Sequence, residues 1–183
     1  MVMIPPDLHE LESQEFDRWV IAGERFEWRH RVRGRHESVT FTRIMTMIGD
    51  WADTMSEPRD VVLTDVGCWL AHDPLTALNP PISVTAAEVV ARTSTNNCWI
   101  AGVPKLVVEI VGHGQHPEWG RRIDGYLRAG VSMVWLVDPE PVRRRVDVFR
   151  PKSMRLVSCQ PGGILTCPDL LPGFAAPVAD FFR

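Results

Sequence analysis

Two short apolar runs, Lys105 to Val111 (KLVVEIV) and Val131 to Asp138 (VSMVWLVD), constrain the fold of this 183-residue chain more than any other feature. Both are rich in β-branched residues and lack the alternation of a half-exposed strand, so they suit strands covered on both faces. Between them, Pro117 to Ala129 carries helix signals, with proline near the first turn and Gly130 just past the end. Strand, helix and strand in that order predict a parallel pair joined by a right-handed crossover. The expected fold class is therefore α/β, a mixed central sheet flanked by helices.

The flanking sequence is read the same way. Leu8, Leu11, Phe16 and Trp19 predict a short amphipathic helix ending at Gly23, making residues 1–23 an N-terminal helical extension. Arg25 to Arg33 alternates: Phe26, Trp28, His30 and Val32 point one way, and Arg25, Glu27, Arg29, Arg31 and Arg33 the other. That is the pattern of a half-buried strand. Glu37 to Met55 follows helical spacing. Val61 to Leu70 reads as one strand, Asp73 to Pro81 as a proline-marked loop, and Ile82 to Ala91 as extended. Arg145 to Arg150 and Met154 to Cys159 form a closing hairpin. A chain of this length is expected to fold as one domain over residues 1–183, with 103–139 as its core motif.

Composition excludes several classes. With 20 basic and 23 acidic residues, the formal charge is −3, so nucleic acid is not coated through bulk charge, although a local basic groove is allowed. Such a groove has one candidate: Arg29, Arg31, Arg33 and Arg35, with His36, form a basic stripe that could track phosphates. The same stripe could equally be a solvated strand face paired with Glu27 and Glu37. Cys68, Cys98, Cys159 and Cys167 lie in no CxxC motif and read as reduced, buried thiols. No run approaches the roughly 20 apolar residues of a membrane span, and the first residues lack a signal-peptide pattern. The expected location is cytoplasmic.

Glu109 is the residue that does not fit its surroundings. A carboxylate inside KLVVEIV must be paired, protonated or bound to a cation. It is either salt-bridged, with 18 arginines available, or a metal ligand or acid/base group at a strand end. Glu88, in AAEVVAR, offers a second carboxylate. On a neighbouring strand, the two would suit Mg²⁺ or Mn²⁺, because hard cations take oxygen ligands. His113 and His116 stand in HxxH spacing just after Glu109, either solvated or as further ligands.

The order KLVVEIVG, then a helix carrying RIDGYLRAGV, then MVWLVDP resembles the Uma-type restriction endonucleases of the PD-(D/E)XK nuclease superfamily. The similarity is strongest over Val103 to Pro139. Phe26-Glu27, His36 and Leu171-Pro172-Gly173-Phe174 resemble the family's other landmarks. The resemblance implies a restriction-endonuclease-like core and metal-dependent hydrolysis of DNA phosphodiesters. It implies Glu109 as the acid of the (D/E)XK half-motif and Glu88 near the position of the "PD" aspartate, with Ala87 where proline would stand. Arg122 falls four residues before Tyr126, where the family carries lysine, and Glu27 and His36 match its auxiliary acid and histidine. Glu88, Glu109 and the Ile110 carbonyl would then hold Mg²⁺ or Mn²⁺ to activate water.

The departures carry their own implications. Arginine at position 122 cannot act as a general base, but it can hold a phosphate. Aspartate to glutamate at position 88 lengthens a ligand, and the "PD" dipeptide is absent. The alternative function is thus a catalytically degenerate nuclease-fold protein that binds nucleic acid or a protein partner. DNA is the expected partner, and a homodimer would suit cutting of two strands.

Overall fold

The computed structural model describes residues 19–21, 24–26, 33–72, 75–93, 99–111, 119–151 and 153–183. In chain order these form β1 (Trp19–Ile21), β2 (Glu24–Phe26), α1 (Arg35–Asp53), β3 (Val61–Thr64), β4 (Gly67–His72) and β5 (Leu75–Leu78). There follow β6 (Ile82–Thr85), α2 (Ala87–Ala91), β7 (Trp99–Ala101), β8 (Leu106–Ile110), α3 (Trp119–Arg128) and β9 (Met133–Asp138). The last elements are β10 (Arg145–Arg150), β11 (Ser153–Cys159), β12 (Ile164–Cys167), β13 (Leu171–Pro177) and a 3₁₀ turn, Val178–Phe182.

Six strands make the central sheet in the order β11-β10-β9-β8-β6-β3, with β8 and β9 parallel and the other pairs antiparallel. A five-stranded sheet runs β1-β2-β5-β4-β7, and β12 pairs with β13. The mixed α/β architecture is the expected one. The β8–α3–β9 crossover lies where the apolar runs put it, and Gly130 adopts the left-handed φ of 99° that ends α3.

Alternation along β8 divides the core. Leu106, Val108 and Ile110 pack on one side with Ile44, Ile48 and Trp51 of α1 and with Trp135, Val137 and Phe181. These α1 residues recur at helical spacing, so one stripe of the helix is buried. Val107 points the other way, into a second cluster with Ile123 and Tyr126 of α3 and with Cys68, Leu78 and Ile100. Each face of the central sheet is thus covered, which is why β8 and β9 carry no polar stripe.

Several expectations are corrected. Trp19 lies in β1, paired with Phe26 of β2, and not in a helix, since Trp-Val-Ile favours pairing. The rest of the N-terminal extension, and the alternating stretch from Glu27 to Val32, fall outside the described residues. Val61 to Leu70 is two strands in two sheets, because Asp65 adopts a left-handed φ of 52° and redirects the chain. The proline-marked stretch contains β5, which pairs with β4. Ile82 to Ala91 is extended only to Thr85 and then turns into α2. Among the described residues, no helix is long and apolar enough to cross a membrane.

Trp135 is fully buried on β9, its indole N–H donating to Met133 Sδ at 3.0 Å and its ring 5.7 Å from that of Phe174. Trp135→Ala is expected to cost about 3–5 kcal/mol, read from urea unfolding. Burial pushes the Cys68 thiol up to about 12. At pH near 8, a thiol reagent should therefore leave Cys68 untouched in the folded protein and modify it only on unfolding.

Candidate active site

Glu109 is on the same side of β8 as Val107, facing α3. Arg122 and Tyr126 reach it together because residues four apart share a helix face. Arg122 Nη2 and Nε donate to Glu109 Oε1 at 2.5 and 3.0 Å, and the Tyr126 hydroxyl donates to the same oxygen at 2.7 Å. Arg122 Nη2 also lies 3.1 Å from the Tyr126 hydroxyl and 3.4 Å from the Asn79 carbonyl oxygen that accepts from it. The Arg122 and Glu109 side chains are 3% and 1% exposed.

That burial decides the energetics. Each ion alone would lose several kcal/mol of hydration, and only the partner's charge with its hydrogen bonds offsets the loss. The pair therefore acts as a brace between β8 and α3. Of the two readings of Glu109, salt bridge or catalytic group, the geometry realises the salt bridge, and its arginine is Arg122.

Across the sheet, Ile82 pairs with Val108 in antiparallel register, so the residue facing Glu109 is Pro81. Thr64 pairs with Ile82, and the Asp65 N–H donates to the Pro81 carbonyl at 3.0 Å. Asp65, Pro81 and Glu109 thus form one row, with Asp65 two strand spacings, roughly 10 Å, from Glu109. The Asp65 carboxylate accepts from Arg33 Nη2 at 2.5 Å. On the other side, Glu109 faces Leu136 and then Asp147. Asp147 accepts from Arg145 at 2.9 Å, and this hydrogen bond holds the arginine's pKa above its ordinary value.

The predicted site residues are only partly brought together. Glu109 and Arg122 meet, and Ile110 ends β8 beside them. Glu88 does not join them. It is exposed on α2, past the end of β6 that lies beside Leu106, and Thr85 alone is about 13 Å along the strand from the Pro81 row. The helix packs toward β7, with Val89 against Gly102. His36 and Arg35 are exposed at the start of α1, and Arg33 is bound to Asp65. Glu27, Arg29, Arg31, His113 and His116 lie outside the described residues. Sequence reasoning missed Asn79, Pro81 and Asp65 as neighbours of the site; only Tyr126, four residues beyond Arg122, was signalled by spacing.

Among the described residues, this arrangement does not supply the ligands a divalent cation needs. Among the described residues, no three His, Cys, Asp or Glu side chains converge. The position facing Glu109 is a proline, without a donor side chain. Beside the pair, the buried Asn79 Oδ1 is a neutral amide oxygen without a hydrogen-bond partner. A cation at 2.0–2.6 Å from Glu109 Oε1, the oxygen that takes all three hydrogen bonds, would also stand within roughly 5 Å of the Arg122 guanidinium, and like charges there repel.

A mixed sheet with a parallel central pair, a crossover helix and an acid near the end of the first of those strands defines a restriction-endonuclease-like α/β protein. A crystal structure described as a "putative nuclease belonging to DUF820" from Anabaena variabilis ATCC 29413 superposes with a TM-score of 0.70. It is 18% identical, with 88% of this chain and 87% of that one covered. The Uma2 family model, described as "Putative restriction endonuclease", matches residues 5–179, and the chain belongs to that family. No curated protein matches it. The class of the protein is therefore nuclease-like.

The brace makes a stability prediction. Arg122→Met leaves Glu109 buried without its cation and is expected to cost about 3–5 kcal/mol. Replacing both residues with apolar ones should cost clearly less than the two single changes added together, read by urea unfolding in a double-mutant cycle.

Proposed function

We propose that this nuclease-family protein binds the phosphodiester backbone of DNA and does not carry out metal-dependent hydrolysis at the β8 centre. The observation that carries this reading is the buried Arg122–Glu109 pair with Pro81 in the facing position. Oε1 of the carboxylate that would hold Mg²⁺ or Mn²⁺ is committed to a guanidinium. A second carboxylate does not stand opposite it.

DNA binding draws its support from family membership and from the arginines at this end of the sheet. Arg33 is anchored to Asp65 there, and Arg35 and His36 follow it, exposed, into α1. These groups would position a phosphate backbone and would not read bases. Affinity should therefore fall steeply with salt and depend little on sequence.

The test pairs binding with cleavage. A short DNA duplex should bind with a strong salt dependence that EDTA leaves unchanged, and calorimetry should detect no saturable Mn²⁺ site. Arg35→Gln should weaken binding and flatten the salt slope by about one unit. Duplex cleavage in Mg²⁺ or Mn²⁺ that disappears in Glu109→Gln would overturn the reading in favour of a metal-dependent endonuclease.

A further inference from the structure

A cavity of about 440 Å³ opens between the β9–β10 turn, the end of β11 and the terminal 3₁₀ turn. Its wall includes Val142, Arg143, Arg144, Gln160, Phe182 and Arg183. The three arginines differ in their bonding. Arg143 Nε donates to Asp138 at 2.9 Å, and Arg183 pairs with Asp180 at 2.7 Å. Arg144 has no ion pair among the described residues; its Nε is buried without a hydrogen-bond partner. Its guanidinium carbon lies 5.9 Å from the centre of the Phe182 ring, which orients the group without neutralising it.

The Arg144 charge has no carboxylate to offset it among the described residues, and a ligand entering the pocket would meet it through the outer guanidinium nitrogens, since Nε itself is closed to solvent. The pocket therefore presents one unmatched positive charge, two further arginines in its wall, an amide side chain and an apolar floor. A phosphate suits it better than a carboxylate, because its oxygens can accept from Arg144 and from N–H groups that Arg143 and Arg183 keep beyond their own ion pairs. The volume lies in the range of small-ligand sites and exceeds what a bare phosphate needs. Val142, 84% exposed on the rim, offers apolar surface to an attached ring.

We infer that this pocket is a phosphate site for a nucleotide, either free as a monophosphate or at the end of a nucleic-acid strand. The pocket is separate from the Glu109 centre, being lined by the core side that includes Phe182. Assigning the phosphate to a DNA end rests on the proposed function; the phosphate site itself does not.

The experiment uses the whole chain and three probes: deoxyadenosine monophosphate, a short duplex with terminal phosphates, and the same duplex without them. The monophosphate should bind saturably, and Arg144→Gln should weaken it about tenfold or more, the loss of a charged hydrogen bond. Arg144→Lys, which keeps the charge and loses the fork, should fall between, while the exposed Arg128→Gln should bind as wild type. Matching melting curves for the variants separate lost binding from lost folding. A preference for the phosphorylated duplex that Arg144→Gln removes supports the strand-end source. Monophosphate binding with no such preference supports the free-nucleotide source and leaves the pocket standing even if DNA binding fails. Absence of saturable monophosphate binding, or equal binding by wild type and Arg144→Gln, overturns the site.

Discussion

The carboxylate of Glu109 cannot sit inside β8 without a cation, and the cation that the fold supplies is Arg122. Much of the local architecture follows from that requirement. Arg122 must come from an element close over the strand, and the crossover helix α3 is that element. Tyr126, one turn later, covers the same oxygen and closes the pair from water. The Asn79 carbonyl, just ahead of β6, accepts from the guanidinium as well, so the pair links three segments of the chain. An isolated buried charge is tolerated nowhere in such a core, which makes the register of β8 and the rotation of α3 interdependent.

The proposed loss of metal chemistry at the site rests on the same interaction. Lysine carries a compact charge on a flexible stem and can leave a carboxylate when a metal arrives. A guanidinium is planar and holds its geometry: both Nε and Nη2 of Arg122 converge on one Glu109 oxygen while Nη2 also meets Tyr126 and Asn79. Releasing it would break all of these contacts and strand a charge in the interior. Pro81 compounds the effect, since a second carboxylate facing Glu109 could have competed for the arginine or shared a cation. With proline there, Arg122 is the charged group that answers the Glu109 carboxylate.

How much of this was legible depended on whether the information was local. The β8–α3–β9 unit was, because its apolar runs and the glycine after α3 lie within one stretch of chain. Glu109 stood out for the same reason, as a charge in an apolar run, and the spacing of Arg122 and Tyr126 marks one helix face. The identity of the residue opposite Glu109 was not legible. It is set by the pairing of β6 with β8, and strand register is fixed by packing between distant segments. Glu88 was misplaced because Ala-Ala-Glu-Val-Val-Ala suits a helix as well as a strand, and nothing local shows that β6 stops at Thr85. Trp19 failed differently: three β-favouring residues outweighed a helical spacing that rests on few positions.

Strand direction explains why charged residues gather where they do. β3, β8, β9 and β11 all run the same way, so their C-terminal ends share one edge of the central sheet. In open α/β sheets that edge is where ligands meet the protein. Here three acids are each answered by an arginine: Asp65 by Arg33, Glu109 by Arg122, and Asp138 by Arg143. A divalent cation approaching this edge finds these three carboxylates already paired with guanidinium groups. A phosphate finds arginines outside those three pairs, Arg35 and Arg144. In the proposed function, these paired acids and outlying arginines, more than the loss of any one ligand, favour a polyanion over a metal ion at this edge.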